Sequence, residues 1–194
     1  MNRQITFRQY RAMDLFFLTA LLCLCESLIV LGATRWFPSQ PYTLSLAPAV
    51  AALVMMRWGV FAFVPALAGG AAFCLVSRAT GGQWLIYCLG NLASLAMTAF
   101  VRRLTWQRVK ENVLLTMLHG FLTALLMQLG RALIALVLGA APMVCLGFMT
   151  TDVLSTLFAV LVMWICRRLD GMLEYQPHYL KRVQEEKEKE ARRN

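Results

Sequence analysis

The sequence predicts an all-α membrane protein, a bundle of six transmembrane helices with both termini in the cytoplasm. Of the 194 residues, 59% are hydrophobic and only 15% are charged, against roughly 25% charged residues in soluble domains. The hydrophobic residues form long blocks rather than alternating patterns, and about 20 such residues in a row can cross a bilayer. The basic residues, in turn, are concentrated in alternate connections between the blocks.

Six apolar segments are separated by short polar, glycine- or proline-containing connections. The first follows a basic stretch at residues 1–12 and, at about 20 residues, exceeds the usual hydrophobic region of a signal peptide. The second and third are short, so they form either two tilted helices or one re-entrant hairpin. The segments are Met13–Ala33, Tyr42–Met56, Val60–Val76, Gln83–Val101, Asn112–Leu138 and Met143–Cys166, with Arg57-Trp58-Gly59 joining the second to the third.

These segments define one transmembrane domain at residues 13–168 and a charged cytoplasmic tail at residues 169–194. In the tail, pairs at i and i+4 such as Glu185 and Lys189 favour a helix. With the N-terminus inside, 16 of the 19 Lys and Arg residues face the cytoplasm, two (Arg35 and Arg78) face outward and Arg131 lies within a span. This asymmetry follows the positive-inside rule. The net charge of +9 therefore reflects topology and attraction to anionic lipid, and no nucleic-acid partner is expected.

Ionisable side chains inside a bilayer are costly, so they are candidates for function. Three lie within the predicted spans: Glu26, Arg131 and Asp152. At 1.5 Å of rise per residue, all three fall between mid-membrane and the outer third, as do Asn91 and Gln128. If these faces turn inward, they form a polar chamber that is open to the outside and captures a small polar solute. The alternative is a neutralising cluster in which Arg131 pairs with Glu26 or Asp152.

Aromatic and small residues add two further hypotheses. Trp84, with Tyr87, is a candidate for stacking on a planar ligand at the chamber mouth; the alternative is an interfacial aromatic belt. Small residues recur at helical spacing, which lets helices approach closely in lipid. The stripes are Ala62, Ala66, Gly70 and Cys74, then Gly90, Ser94 and Thr98, and then Thr19, Cys23 and Ser27. Each stripe either packs within the bundle or docks a partner subunit.

Catalytic, metal and cofactor readings find no support in the sequence. It contains no His-Glu-x-x-His helix, no paired-acid diphosphate motif and no glycine-rich phosphate loop, so the chain is not expected to be an enzyme or to hydrolyse ATP. The six cysteines lie inside apolar runs without a C-x-x-C pair, which predicts apolar packing rather than metal binding. An importer of this kind needs energy from partners or from an ion gradient.

The architecture resembles the substrate-binding S components of energy-coupling factor (ECF) transporters. The similar features are the basic lead-in to the first span, the short second span, the connector Arg57-Trp58-Gly59, the polar outer layer, and the sequence R-R-L-D-G at residues 167–171 before a charged tail. The resemblance implies an outward-facing site for a vitamin or similar micronutrient in the plasma membrane. It also implies a transmembrane coupling subunit and ATPase subunits as partners. The family's Ala-x-x-x-Ala docking pattern is replaced here by Thr19-x-x-x-Cys23-x-x-x-Ser27.

Two other functions remain open at this level. An MreD-like cell-shape scaffold is similarly small and polytopic, and it requires the buried charges to be paired and inaccessible. A stand-alone ion-coupled carrier would use Glu26 or Asp152 as its proton site and is favoured by internal repeats, which the sequence does not display. The presence of one arginine among acids and amides suits a solute with a carboxylate and hydrogen-bonding ring groups.

Overall fold

A computed structural model describes residues 6–37, 39, 44–169, 171–180 and 182. Throughout these ranges the chain forms helices and turns without a strand, so the predicted all-α class is confirmed. Two stretches of 3-10 helix (Gly59–Ala62 and Leu92–Leu95) and one of π-helix (Leu85–Leu89) interrupt the α-helices. The α-helices are α1 Phe7–Trp36, α2 Ala47–Trp58, α3 Phe63–Ser77, α4 Gly81–Trp84, α5 Ala96–Leu104, α6 Trp106–Glu111, α7 Val113–Val137, α8 Pro142–Thr151 and α9 Val153–Arg168.

The long helices begin at residues suited to satisfying free backbone N–H groups. Thr6 and Gln9 form a capping box at the start of α1, in which Gln9 Oε1 accepts from the Thr6 backbone N–H at 2.9 Å. Asn112 Oδ1 accepts from the Leu114 backbone N–H at the start of α7, also at 2.9 Å. Pro142 is the first residue of α8, where its missing N–H costs nothing. These caps set the entry points of three helices independently of tertiary packing.

Within the described residues, five helical stretches are long and apolar enough to cross a membrane: Phe7–Trp36, Ala47–Ser77, Gly81–Leu104, Val113–Val137 and Pro142–Arg168. Their number indicates a membrane-embedded protein, whereas the predicted count of six spans is not confirmed. The difference lies in the second stretch, which covers both the second and the third segments predicted from the sequence. Its length and hydropathy are those of one membrane-spanning helix. The stretch nevertheless consists of two helices, α2 and α3.

The chain reverses direction at Gly59, between α2 and α3. Gly59 has φ +63° and ψ −121°, a conformation that favours glycine. Gly69 of α3 lies close to Ala47, at the far end of α2, since a Cβ on Gly69 would lie 2.8 Å from Ala47 Cβ and 3.3 Å from Leu22 Cδ2 of α1. The connector predicted at residues 57–59 is thus a tight turn, with the 3-10 stretch leading into α3. At 12 residues, α2 is roughly 18 Å long and reaches only part of the way across a 30 Å hydrocarbon core.

The turn after α2, the first part of α1 and the chain after α9 meet at one end of the bundle. Arg57 Nε and Nη2 each donate to a carboxylate oxygen of Asp14 at 2.9 Å, and Arg57 Nη1 donates to the Met172 carbonyl oxygen at 3.1 Å. Arg167, at the end of α9, donates through Nη2 to the Glu111 carbonyl oxygen at 2.7 Å. We call this the basic end, since Arg57, Arg167 and the basic residues of α6 lie there.

Residues 171–180, which the sequence assigns to the tail, pack against the basic end. Glu174 forms an ion pair with Lys110 of α6 at 2.9 Å, and the Tyr175 ring stacks on Trp106 with centroids 4.9 Å apart. Leu173 is buried among side chains of the core. The predicted helical pairs further along, such as Glu185 with Lys189, lie outside the described residues.

The interior towards the basic end is filled by small and flexible apolar side chains. Two clusters of buried residues run along α2 and the helices around it, and together they contain five buried methionines, Met55, Met56, Met97, Met127 and Met163. Unbranched methionine side chains fill irregular spaces between helices well. A cavity lies in the other half of the bundle, where Gly69, Gly70 and Phe73 of α3 line it.

Candidate functional site: a polar and aromatic cavity

A partly open cavity of about 150 Å³ lies in the half of the bundle away from the basic end. Three charged side chains and three aromatic rings line it. The lining residues belong to α1, α3, α7 and α8, to the π-helical stretch and to the chain just before α2. The lining residues are Glu26, Leu44, Ser45, Gly69, Gly70, Phe73, Tyr87, Arg131, Val144, Gly147, Phe148, Thr151 and Asp152. Glu26, Arg131 and Asp152, predicted from their positions in the spans, therefore line one space.

Arg131 and Asp152 form a buried ion pair. Arg131 Nη1 donates to Asp152 Oδ2 at 2.7 Å, and both side chains are about 5% exposed. Arg131 Nε donates to Asn91 Oδ1 at 2.8 Å, while Asn91 Nδ2 donates to the Ala66 carbonyl oxygen at 2.9 Å. The Arg131 guanidinium also lies 5.1 Å from the centroid of the Tyr87 ring. Charge-assisted hydrogen bonds of this kind hold a guanidinium in one orientation.

Asp152 occupies a break in a helix. With φ −99° and ψ 17° it separates α8 from α9, which frees backbone groups from helical pairing. Gln128 Nε2 donates to the Asp152 carbonyl oxygen at 3.2 Å, and the Ser155 hydroxyl donates to Asp152 Oδ1 at 2.7 Å. The same hydroxyl accepts from the Ser45 backbone N–H at 2.8 Å. The break therefore places a carboxylate at the cavity wall and links it to the chain that precedes α2.

Glu26 is bound to the backbone rather than to a cation. Its side chain lies within α1 and the residue is 1% exposed. Glu26 Oε2 accepts from the Leu46 backbone N–H at 2.9 Å, next to the first residue of α2. In the described part of the chain, no Lys, Arg or His side chain forms an ion pair with Glu26. Of the two pairings that the sequence allowed for Arg131, the structure contains the one with Asp152.

Three aromatic rings form one side of the cavity. The Tyr87 ring lies 4.4 Å from Phe73 and 6.2 Å from Phe148, centroid to centroid. Tyr87 belongs to the π-helical stretch Leu85–Leu89, and single π turns are frequent at functional sites. Of the two residues predicted to stack on a ligand, Trp84 is only partly buried and lies outside the cavity lining. Tyr87, its neighbour one turn along, lines the cavity instead.

The small-residue stripes are used for close contacts within the bundle. A Cβ on Gly70 would lie 2.6 Å from the Tyr87 carbonyl oxygen, and a Cβ on Gly90 would lie 2.7 Å from Arg131 Cα. The predicted docking stripe of α1 is half-buried: Cys23 Sγ contacts the Ala68 carbonyl oxygen at 3.7 Å, and the Ser27 hydroxyl donates to the Cys23 carbonyl oxygen. With Thr19 also half-buried on this face, the stripe contributes to packing of α1 on α3, and its use in docking a partner stays a prediction.

Sequence reasoning missed Phe73, Phe148 and Ser45. The two phenylalanines lie in apolar segments where aromatic residues are common, so nothing in the sequence distinguishes them. Ser45 precedes α2 in a connection that dips between the helices. Asp14 is the partner of Arg57, and nothing in the sequence around either residue indicates this pairing.

In the described residues, no group of three or more His, Cys, Asp or Glu side chains is arranged to hold a metal ion. Comparison with protein-family models, with curated proteins and with solved structures finds no match to the chain.

Proposed function

We propose that this chain is a membrane-embedded solute-binding subunit of an importer. The observation that carries this proposal is the cavity in which Glu26, Arg131 and Asp152 meet the rings of Phe73 and Tyr87. Ligand sites are concave and mostly apolar, with a few convergent polar groups. A site of this composition within a membrane-embedded bundle suits capture of a small polar solute.

The size of the cavity favours a small ligand. Sites for drug-sized ligands have volumes of about 300–1,000 Å³, whereas this cavity has about 150 Å³. A cavity of roughly 150 Å³ accommodates a molecule the size of benzene. A vitamin-like micronutrient at the small end of that class fits without rearrangement, and a larger one requires α8 to move away from α3.

The architecture supports an S component of an ECF-type importer in the plasma membrane. The Arg57 contacts to Asp14 and to Met172 bring the first part of α1 and the chain after α9 to the same end, as six passes with both termini inside would require. Basic residues gather at that end, as the positive-inside rule expects of a cytoplasmic face. A transmembrane coupling subunit and ATPase subunits would then power release, because this chain has no phosphate-binding loop of its own.

Mass spectrometry of small molecules that co-purify with the protein tests the proposal. The wild type should carry a ligand, and Glu26→Gln, Arg131→Ala and Asp152→Ala should each lose most of it. Glu111→Gln is the matched control, since Glu111 is an exposed acid on α6 and its change should leave the ligand in place. A wild type without any ligand, or cavity variants that retain it at the wild-type level, would contradict the proposal.

An MreD-like scaffold is the second candidate, and one observation favours it. The Arg131–Asp152 pair at 2.7 Å neutralises two of the three charges, as expected where buried charges serve structure alone. The two functions differ in their consequences. A scaffold tolerates Glu26→Gln without loss of any bound molecule, and its partners are proteins that remain associated in mild detergent.

A further inference from the structure

Among the described residues that line the cavity, the charges do not balance. Arg131 is the cavity's basic residue and it is paired with Asp152 at 2.7 Å. Glu26 also lines the cavity, and its Oε2 is bound to the Leu46 backbone N–H. An ionised Glu26 therefore leaves one negative charge facing the space. A buried carboxylate that has hydrogen bonds but no cation beside it is unfavourable, and a cationic ligand would compensate its charge.

The apolar walls suit a cation as well. The rings of Phe73, Tyr87 and Phe148 follow one another along the cavity, with centroid separations of 4.4 Å and 6.2 Å. Aromatic faces attract ammonium groups, because the ring face is the negative part of its quadrupole. Aromatic rings are a recurrent arrangement for binding quaternary or methylated ammonium groups.

We propose that the cavity binds a small organic cation, with Glu26 as its counter-charge and the rings of Phe73 and Phe148 around its ammonium group. The inference rests on the proposed solute-binding function and names the class of its substrate. It differs from the anionic solute that a lone arginine suggests from sequence. The Arg131 guanidinium already donates to Asp152 and Asn91 and lies over the Tyr87 ring, so its charge is paired, and a ligand carboxylate in this space would also have to approach Glu26.

Three probes of nearly equal shape separate the ligand classes. Choline is a cation, 3,3-dimethylbutan-1-ol is its neutral carbon analogue, and glycine betaine adds a carboxylate to the same head group. Binding is measured by isothermal titration calorimetry on the full chain in a maltoside detergent, which contributes no charged head groups. We expect choline to bind at least about tenfold more tightly than either of the other probes, a difference of about 1.4 kcal/mol.

The variant Glu26→Gln keeps the shape of the side chain and removes its charge. It should reduce the preference for choline over the neutral analogue to within about twofold, while Glu111→Gln should preserve it. Equal binding of choline and the neutral probe, tighter binding of betaine, or no binding of choline would overturn the proposal. The co-purified molecule distinguishes failure of the cation proposal from failure of the proposed solute-binding function. A bound neutral or anionic solute would overturn only the cationic substrate class. Absence of any bound molecule would overturn both the substrate class and the solute-binding function.

Discussion

Arg131 reaches its partners because two glycines let α7 lie directly against the segment that carries Tyr87 and Asn91. A Cβ on Gly130 would collide with the Gly90 carbonyl oxygen, and one on Gly90 would lie 2.7 Å from the Arg131 backbone nitrogen. Backbones can approach this closely only where both residues lack a side chain. The geometry of the ion pair therefore depends on residues that carry no charge.

The variant Gly130→Ala should destabilise the protein and weaken ligand binding together, because α7 must move away from Asn91. Overpacking of this kind typically costs about 1–3 kcal/mol. Thermal unfolding in detergent measures the first effect and retention of the co-purified molecule the second. Gly82→Ala is the control, since a Cβ there meets no atom within 4 Å. Equal melting temperatures for the two variants would contradict this packing.

The ion pair makes a second prediction at the scale of single residues. Arg131→Met alone leaves the Asp152 carboxylate buried without its cation, which typically costs about 3–5 kcal/mol. The double variant Arg131→Met/Asp152→Leu removes both charges and should recover most of this loss, because an apolar pair of similar size is tolerated in place of a buried ion pair. Unfolding in a denaturing detergent compares the three proteins. A double variant less stable than Arg131→Met would show that Asp152 is held mainly by other contacts.

Among the helices, α2 and α3 decide how the bundle is built. α2 is buried along nearly its whole length and is fastened at both ends to α1: Leu46 donates to Glu26 at 2.9 Å, and Arg57 binds Asp14. The turn at Gly59 then returns the chain as α3. Because α2 begins only at the depth of Glu26, the preceding residues Leu44 and Ser45 enter the bundle and line the cavity.

The turn itself is testable through Gly59, whose φ of +63° is costly for any residue with a Cβ. Gly59→Ala should destabilise the protein by about 1–3 kcal/mol, although the nearest atoms to an added Cβ, in the Trp106 ring, are 3.9 Å away. The cost therefore comes from backbone conformation and not from crowding. Unfolding measurements on Gly59→Ala and Gly81→Ala make the comparison, because Gly81 is helical and unhindered. A loss no larger than that of Gly81→Ala would argue against the turn.

The whole molecule is polarised along its long axis. One end carries Arg57, Lys110 and Arg167 together with the packed segment 171–180; the other carries the turn between α3 and α4. Large apolar side chains such as Phe16, Leu21 and Leu28 cover the outer face of α1 and are 58–68% exposed, as suits contact with lipid. The cavity lies in the half away from the basic end.

Cysteine labelling in intact cells tests this polarity. Gly81→Cys introduces an exposed thiol at the α3–α4 turn, and Gln107→Cys introduces one on α6 at the basic end. If the basic end is cytoplasmic, a membrane-impermeant maleimide should label the first variant and leave the second unlabelled until the cells are lysed. The unsubstituted chain reports labelling of the native cysteines. The reverse pattern would place the cavity on the cytoplasmic side and contradict import from outside.

The membrane class, the helical fold and the layer of charges could all be predicted from the sequence, for a common reason. Long apolar blocks have few alternatives to transmembrane helices, and 1.5 Å of rise per residue converts the positions of Glu26, Arg131 and Asp152 into depths. The helix caps at Thr6 and Asn112 are local as well. These features depend on neighbours within a few residues, so no tertiary information was needed for them.

Tertiary structure alone decided which groups meet. In lipid, side chains that face the bilayer and side chains that face the interior are both apolar, so hydropathy does not indicate how each helix is rotated. Pairing of Arg131 with Asp152 rather than Glu26, the inward position of Tyr87 instead of Trp84, and the entry of Ser45 into the bundle all depend on that rotation. The rotation of each helix is set by the close packing at Gly90 and Gly130 and by the reversal at Gly59, because these features fix how closely the backbones approach one another.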